Sequence, residues 1–349
     1  NIKPIEGLSY SQTLGYENRQ WELHQFRSRY HREEVTNNRG GWAKLEFSKT
    51  EHLTSEGYFT YLKEFKGGHS LNAVAGYSYF EKNGENFNAE NYDFGVEGLK
   101  YWDLESGSYL TDGKAKMGSK KDITERLFAL YARANYSYND KYMVTATIRH
   151  EGSSKFAAEN RWGNFWALSG GWRVSGEEFM KEFDWVNDLK IRFGYGVTGN
   201  NDFDASYMAN TLSRDQYWML PSGSWAFVYG PSSNVNPYLG WEEKKEWNIG
   251  VDYSFFGNRM YGKFDYYRRK IDGMIYEVNV PPYPNGKQWQ NIGEMESKGW
   301  EFEVGGDIIQ NKDFTWTSSL NMSHNSGKIL TMYGNNSRMD GNAMDEPGW

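Results

Sequence analysis

Residues 241–272 limit what this chain can fold into, because apolar and polar residues alternate along two consecutive segments. The stretch reads WEEKKEWNIGVDYSFFGNRMYGKFDYYRRKID. A period of two over about ten residues, interrupted by a Gly257-Asn258 pair, is typical of a β-hairpin with a tight turn. One face of the predicted hairpin carries apolar and aromatic side chains: Trp247, Ile249, Val251, Tyr253 and Phe255. The other face carries polar side chains that include Asp252, Lys263, Asp265 and Arg269.

The same pattern recurs along the chain and predicts about twelve strands, most of them near ten residues long. Strands of soluble proteins have about five or six residues, whereas a tilted strand that crosses a bilayer needs about ten. The predicted strands are Glu6–Tyr16, Gln20–His31, Thr54–Phe65, His69–Glu81, Thr124–Tyr138, Lys141–Gly152, Gly163–Ser175, Leu189–Val197, Glu242–Phe256, Arg259–Asp272, Glu294–Ile309 and Phe314–Asn325.

The connections between these strands alternate in length. Tight turns are predicted at Lys66-Gly67-Gly68, Asn139-Asp140, Gly257-Asn258 and Gln310-Asn311-Lys312, with Gly176–Asp188 as the longer member of this short set. Long connections are predicted at Lys82–Ile123, Thr198–Trp241 and Gly273–Gly293. Outer-membrane barrels are connected in this way, by short periplasmic turns and long extracellular loops. The alternation favours an all-β, transmembrane antiparallel β-barrel over a soluble sandwich.

Composition excludes several other classes. Aromatic residues make up 17% of the 349 residues and all hydrophobic residues only 38%, and no apolar run reaches the roughly 18 residues of a spanning helix. The formal net charge of -7 gives no electrostatic support for binding nucleic acid. The chain has no cysteine, and its six histidines show no metal-binding spacing. We therefore expect no cofactor, no metal site and no enzymatic activity.

A resemblance to a known family extends over residues 127–325. It is carried by NYSYNDKYMVTATIRHEGSSKF, NRWG, SGGWRVSGEEFM, NDLKIRFGYGVTGN and NIGEMESKGWEFEV, in this order. These motifs resemble the barrel of the SusC/RagA family of TonB-dependent outer-membrane transporters. The resemblance implies a 22-stranded barrel with an N-terminal plug. We expect residues 1–349 to form a partial barrel domain of about twelve strands, without the plug domain, the TonB box or the final strands.

The resemblance also implies a function and partners. Members import oligosaccharides, and some import peptides, through a barrel capped by a SusD-like surface lipoprotein and driven by the TonB complex. We expect this chain to lie in the bacterial outer membrane, in contact with its lipid, and to work without bond chemistry. Two alternatives stay open at this point: a passive outer-membrane porin or adhesin barrel, and a soluble carbohydrate-binding β protein.

Aromatic residues in the long connections are the candidate substrate-binding residues, because Tyr and Trp stack on sugar rings and favour protein interfaces. They are Tyr101 and Trp102 in the first long connection, and Tyr217, Trp218, Trp225 and Tyr229, with Phe227, in the second. A role in holding their own loops together explains these residues equally well. The Asn200-Asn201-Asp202-Phe203-Asp204 stretch offers oxygen ligands for calcium, but a polar loop is the favoured interpretation.

Overall fold

The computed structural model describes residues 2–204, 212–231, 233–281, 286–332, 337–340 and 343–347. Most of them lie in strands: β1 Ile2–Ile5, β2 Leu8–Arg27, β3 Trp42–Phe65, β4 His69–Tyr92, β5 Lys116–Lys121, β6 Glu125–Tyr138, β7 Tyr142–Ser153, β8 Trp162–Arg173, β9 Val186–Asn200, β10 Leu212–Met219, β11 Trp225–Pro231, β12 Glu242–Phe255, β13 Met260–Asp272, β14 Ile275–Asn279, β15 Lys287–Asn291, β16 Glu294–Gln310, β17 Thr315–Thr331, β18 Ser337–Asp340 and β19 Ala343–Pro347. A short helix, α1, covers Arg32–Thr36, and 3₁₀ turns cover Glu97–Trp102, Leu104–Ser106, Val174–Gly176 and Glu178–Met180. Within these described ranges no helix is long and apolar enough to cross a membrane.

In the described part of the chain, one sheet of 13 strands follows the order β1-β2-β3-β4-β6-β7-β8-β9-β12-β13-β16-β17, with β5 paired to β4. Neighbours with a described register are antiparallel, as in the pairs β6–β7, β12–β13 and β16–β17. Strands that follow each other in sequence are therefore neighbours in the sheet, apart from the insertions that leave it. This arrangement confirms the predicted all-β antiparallel fold.

The chain divides into two compact units. Residues 1–12, 56–78 and 127–349 form the first unit, and residues 13–55 and 79–126 form the second. The second unit packs around charged and aromatic side chains. Its Glu34 is fully buried and forms a 2.8 Å ion pair with Arg39, whose guanidinium lies 4.6 Å from the ring centroid of Tyr92.

The short connections are the predicted tight turns. β6 and β7 are joined at Asn139 and Asp140, whose φ angles of 51° and 54° belong to the left-handed region that a two-residue hairpin turn requires. The β12–β13 turn includes Gly257 and Asn258, at φ 68° and 64°. Asn and Gly adopt this region at little steric cost, which explains why these residue types occur at the turns.

The register of β12 with its neighbours confirms the predicted alternation of faces. Ile249 pairs with Phe193 of β9 and Tyr266 of β13, and Val251 pairs with Ile191 and Phe264. Directly paired residues share a face, so these strands present one continuous apolar face. Ile249 is 43% exposed there, although it is a large aliphatic residue. An exposed apolar band of this kind is what a lipid-facing surface requires.

The predicted boundaries differ most from the structure in the first strands, while β9 and β17 are longer than predicted, at Val186–Asn200 and Thr315–Thr331. A single strand, β2, replaces the two strands predicted at Glu6–Tyr16 and Gln20–His31, and α1 follows it. β3 begins at Trp42 rather than Thr54, and β4 continues to Tyr92 rather than ending at Glu81. In the extra part of β4, polar side chains lie on both faces, as in Lys82-Asn83-Gly84-Glu85. In the extra part of β3, the apolar alternation is limited to Ala43, Leu45 and Phe47 and is followed by charged and polar residues, so neither extension was predicted.

The longer member of the short connections, after β8, is held in part by the Glu177 carboxylate. Glu177 accepts hydrogen bonds from the Tyr142 hydroxyl at 2.5 Å, the Trp172 indole at 3.1 Å and the Lys141 ammonium at 3.3 Å. These donors favour the ionised carboxylate, the Tyr142 hydroxyl most strongly, and hold the pKa of Glu177 below its usual value. The connection is thereby fixed to the ends of β7 and β8.

Candidate functional site

The second long connection contains a separate hairpin, β10–β11, whose register places most of the candidate aromatic residues on one face. Tyr217 pairs with Phe227 and Met219 pairs with Trp225, and Tyr229 follows Phe227 at the same strand parity. The rings of Tyr217 and Phe227 lie 4.3 Å apart between centroids. We call this set the aromatic face: Tyr217, Met219, Trp225, Phe227 and Tyr229.

All five side chains of the aromatic face are more than half exposed, with Trp225 at 64% and Tyr229 at 68%. Aromatic side chains of this size usually lie in a core, and contiguous exposed apolar patches are a common feature of binding surfaces. Trp218 lies on the opposite face, paired with Ala226, and is 68% exposed. The structure therefore brings Tyr217, Trp225 and Tyr229 together and separates Trp218 from them.

Tyr101 and Trp102, the other two candidates, belong to the second unit. They end the Glu97–Trp102 3₁₀ segment, and their rings lie 5.0 Å apart. His24 of β2 packs against both, at 4.9 Å from Tyr101 and 5.8 Å from Trp102, and Trp102 remains 74% exposed. Sequence analysis missed His24 as a member of this cluster, since 77 positions separate it from Tyr101 and no motif links them.

A small hydrophobic core lies among the long connections of the first unit. Phe156, Phe203 and Leu239 are buried, and partly buried Trp241, Ile275 and Trp289 pack against them. These residues come from three connections, β7–β8, β9–β12 and β13–β16, so the core ties the three connections together. Leu239 is fully buried, although the chain around it has no regular structure. A packed core in the connections gives them a defined shape.

Hydrogen bonds reinforce the same core. The Lys155 ammonium donates to the backbone carbonyl oxygens of Phe203 at 2.7 Å and Asn201 at 3.4 Å. The Asn291 amide group accepts from Gly240 N at 2.7 Å and donates to its carbonyl oxygen at 2.9 Å. The Asn200-Asn201-Asp202 stretch, considered above for calcium, is therefore organised around a lysine ammonium.

The polar face of the sheet carries a charged triad on β9, β12 and β13. Arg192 donates to both carboxylate oxygens of Asp252, at 2.8 and 2.9 Å, and to those of Asp265, at 3.0 and 3.2 Å. A Cβ at Gly250 would overlap the Arg192 guanidinium and the Asp265 carboxylate. Glycine at this position therefore leaves room for one arginine to bridge two aspartates, an arrangement that its planar guanidinium suits.

A cavity of about 440 Å³ lies beside the triad on the same unit. Its polar lining consists of Ser70, Asn72, Asn135, Ser137, Thr145, Ser169, Lys190, Arg192 and Asn248. Lys190 has no ion pair among the described residues, although Asp252 lies opposite it in the ladder. Hydroxyls, amides and cations on a concave wall suit a hydrated ligand or a polar protein surface.

One group of potential metal ligands occurs among the described residues: His31, Glu33 and Glu34. Arginine side chains already neutralise the carboxylates, since Arg27 pairs with Glu33 and Arg39 pairs with Glu34. Glu34 is fully buried, so it has no open side toward an ion in solvent. The group is better described as an ion-pair cluster that fixes α1 to the second unit.

The fold and these sites define a membrane β-barrel receptor. Residues 4–349 match the protein family described as TonB dependent receptor-like, beta-barrel, and the chain belongs to this family of outer-membrane proteins. This assignment confirms the resemblance to SusC/RagA barrels and the predicted outer-membrane location. The apolar face of the sheet is therefore the lipid-facing side, and the polar face is the lumen side.

Two curated relatives are named as TonB-dependent receptors. The chain is 33% identical to the TonB-dependent receptor P39 of Formosa agariphila over 344 residues, which are 95% of this chain and 31% of that protein. It is 34% identical to the TonB-dependent receptor SusC of Bacteroides thetaiotaomicron over 227 residues, which are 64% of this chain and 23% of that protein. The chain thus spans a third or less of the length of these relatives.

Solved structures show the same fold. A structure of the RagAB peptide transporter covers 100% of this chain with a TM-score of 0.86 at 24% identity, and the match takes up 38% of that chain. The outer membrane transporter YddB from Escherichia coli covers 93% of this chain with a TM-score of 0.55 at 10% identity, over 47% of that chain.

Proposed function

We propose that this chain forms the wall and outer loops of an energised importer of oligosaccharides or oligopeptides. The observation that carries the proposal is the exposed aromatic face of β10–β11, presented from packed connections on a TonB-dependent receptor barrel. An importer needs a binding surface outside the membrane and a polar wall inside, and no bond chemistry at either place. The aromatic face and the lumen triad supply these two surfaces.

The partners follow from the same proposal. A SusD-like surface lipoprotein would close over the long connections, and the TonB complex would act through a region of the receptor outside this chain. Membership in an outer-membrane family excludes the alternative of a soluble carbohydrate-binding protein. A passive porin or adhesin barrel remains the competing function, because its membrane-spanning strands would show the same alternation of lipid-facing and lumen-facing residues. The net charge of -7 gives no support for a nucleic-acid partner.

Uptake by the full-length receptor in its host decides between import and passive passage. Labelled oligosaccharide and oligopeptide pools should enter cells that carry the receptor, and deletion of TonB should abolish uptake of one pool. Loss of the receptor should have the same effect as loss of TonB. Uptake that continues at an unchanged rate without TonB would contradict the proposal and identify a porin.

We expect Trp225→Ala to weaken binding of that substrate or of the lid lipoprotein. Exposed aromatic residues at the centre of an interface typically contribute about 2 kcal/mol, which corresponds to about thirtyfold in Kd. Calorimetry on the purified full-length receptor measures this change. Trp225 lies on the exposed tip of a hairpin, so the variant should insert and fold normally.

Trp218→Ala is the matched control, because Trp218 has similar exposure on the opposite face of the same hairpin. A change in Kd confined to Trp225→Ala would assign binding to the aromatic face. Equal weakening in both variants would show that both faces bind, as the sequence analysis predicted. Unchanged affinity in both variants would remove the hairpin from the binding site.

A further inference from the structure

On the lipid-facing side, the residue types change from one ladder row to the next toward the long connections. The row of ladder partners at Ile249 is apolar and aromatic, and contains Phe193, Ile249, Tyr266, Trp300 and His324. The next row outward contains Tyr195, Trp247, Arg268, Lys298 and Ser326. The third contains Val197, Lys245, Lys270, Glu296 and Lys328. Successive rows on one face are about 7 Å apart along the strand, since every second residue of a strand points to that face.

The second and third rows together hold five basic residues and one acidic residue. We call the five the basic step: Lys245, Arg268, Lys270, Lys298 and Lys328. Acidic residues dominate only one row farther out, where Glu243, Asp272 and Glu294 are paired in register. Along the strands, from the membrane toward the long connections, this face is therefore first apolar, then aromatic, then cationic and finally anionic.

Within the basic step, Lys298 and Lys328 have no ion pair in the described part of the chain. Arg268 reaches Glu296 at 2.5 Å, and Lys270 forms ion pairs with Asp272 at 2.8 Å and Glu294 at 3.0 Å. Lys298 is exposed and lies directly opposite Arg268 in the ladder. Like charges at directly opposed positions destabilise a sheet unless an anion lies between them.

We propose that the basic step, centred on Arg268 and Lys298, binds the phosphate headgroup of a lipid in the outer leaflet. Its place along the strand supports a lipid rather than a free anion, because the apolar row lies directly below on the same face. One amphiphile could cover both surfaces, with acyl chains against Phe302 and Val304 and a phosphate between the two cations. Aromatic and basic residues at successive depths match the interface and headgroup layers of a bilayer.

Native mass spectrometry of the full-length receptor tests this proposal. The receptor is released from phosphatidylcholine nanodiscs that contain either dioleoyl phosphatidic acid or dioleoylglycerol, which differ only in the phosphate. We expect the unmodified receptor to retain phosphatidic acid and to lose dioleoylglycerol. Lys298→Gln with Lys328→Gln should reduce retained phosphatidic acid by about tenfold or more, since each of the two basic residues near the headgroups contributes about fivefold.

Lys263→Gln is the charge-matched control, because Lys263 lies on the lumen side and pairs with Glu303 at 3.1 Å. This control should retain phosphatidic acid as the unmodified receptor does, and both variants should keep heat-modifiable mobility on electrophoresis. Equal retention in the double variant and the control would overturn the proposal. Equal retention of the two lipids would also overturn it. Binding of inorganic phosphate with an affinity that the double variant lowers, without lipid retention, would replace the lipid with a free anion.

Discussion

Ile249→Arg is expected to destabilise the assembled barrel by about 1–3 kcal/mol, because a basic residue costs about 2–4 kcal/mol at the bilayer midplane and less toward the interface, and Ile249 lies one row inside the basic step. Ile249 is 43% exposed on the lipid-facing side, between Phe193 and Tyr266 in the ladder. Arginine there would place a guanidinium among acyl chains. It could reach the headgroup layer only by extending past Trp247 toward the basic step. The substitution should therefore impair insertion of the whole β12–β13 hairpin.

Urea unfolding of the full-length receptor in bilayers, followed by electrophoretic mobility, measures this effect. Asn321→Arg is the matched control: Asn321 lies on β17 at a lumen-facing position opposite Glu303. The same charge added there should leave the unfolding midpoint nearly unchanged. A normal midpoint for Ile249→Arg, or a larger loss for Asn321→Arg, would mean that the two faces of the sheet are assigned the wrong way round.

The membrane-spanning parts of the fold were predictable because lipid and lumen impose opposite demands on alternate residues. A slip of one residue in β12 would put Gly250 and Asp252 in the places of Ile249 and Val251, so the pattern specifies the register. The turn at Asn139-Asp140 was predictable for a separate local reason, since its residues tolerate positive φ. These two signals were sufficient to predict the β6–β7 and β12–β13 hairpins.

Beyond the bilayer the same signals disappear. In the outer part of β4, polar residues lie on both faces, and in the outer part of β3 one face carries ion pairs along the strand, such as Lys44 with Glu46. Strand propensity depends on such surroundings more than on local sequence, so the outer part of β4 was predicted to belong to the Lys82–Ile123 connection and residues 42–53 were not included in a predicted strand. The β14–β15 hairpin, inside the connection predicted at Gly273–Gly293, was missed because short strands leave a weak pattern.

The candidate site was predictable in composition but not in arrangement. Exposed aromatics in the long connections were correctly located, since the structure leaves Trp102, Trp218 and Trp225 exposed. The separation of Trp218 from Trp225 depends on the pairing of β10 with β11, which has a register shift between Ser213 and Gln216. No sequence pattern specifies such a shift. The contact of His24 with Tyr101 likewise depends on tertiary structure.

Arg192→Met is expected to lower the free energy of unfolding of the barrel by about 1–3 kcal/mol, because it leaves two carboxylates without their shared cation. Partial exposure limits the effect: the side chains of Arg192, Asp252 and Asp265 are 30%, 37% and 15% exposed. A fully buried pair broken in this way loses about 3–5 kcal/mol. Asp265 is the least exposed of the three, so it should account for most of the loss.

A compensating variant separates lost charge balance from lost packing. Combining Arg192→Met with Asp252→Asn and Asp265→Asn removes both unpaired charges and should recover most of the stability in urea unfolding. Lys190→Met on the same strand and face is the control, and should change the midpoint little because Lys190 has no ion pair in the described residues. A triple variant as unstable as Arg192→Met alone would show that the arginine acts through packing. In that case the missing Cβ at Gly250 would matter for the packing of the Arg192 side chain rather than for its ion pairs.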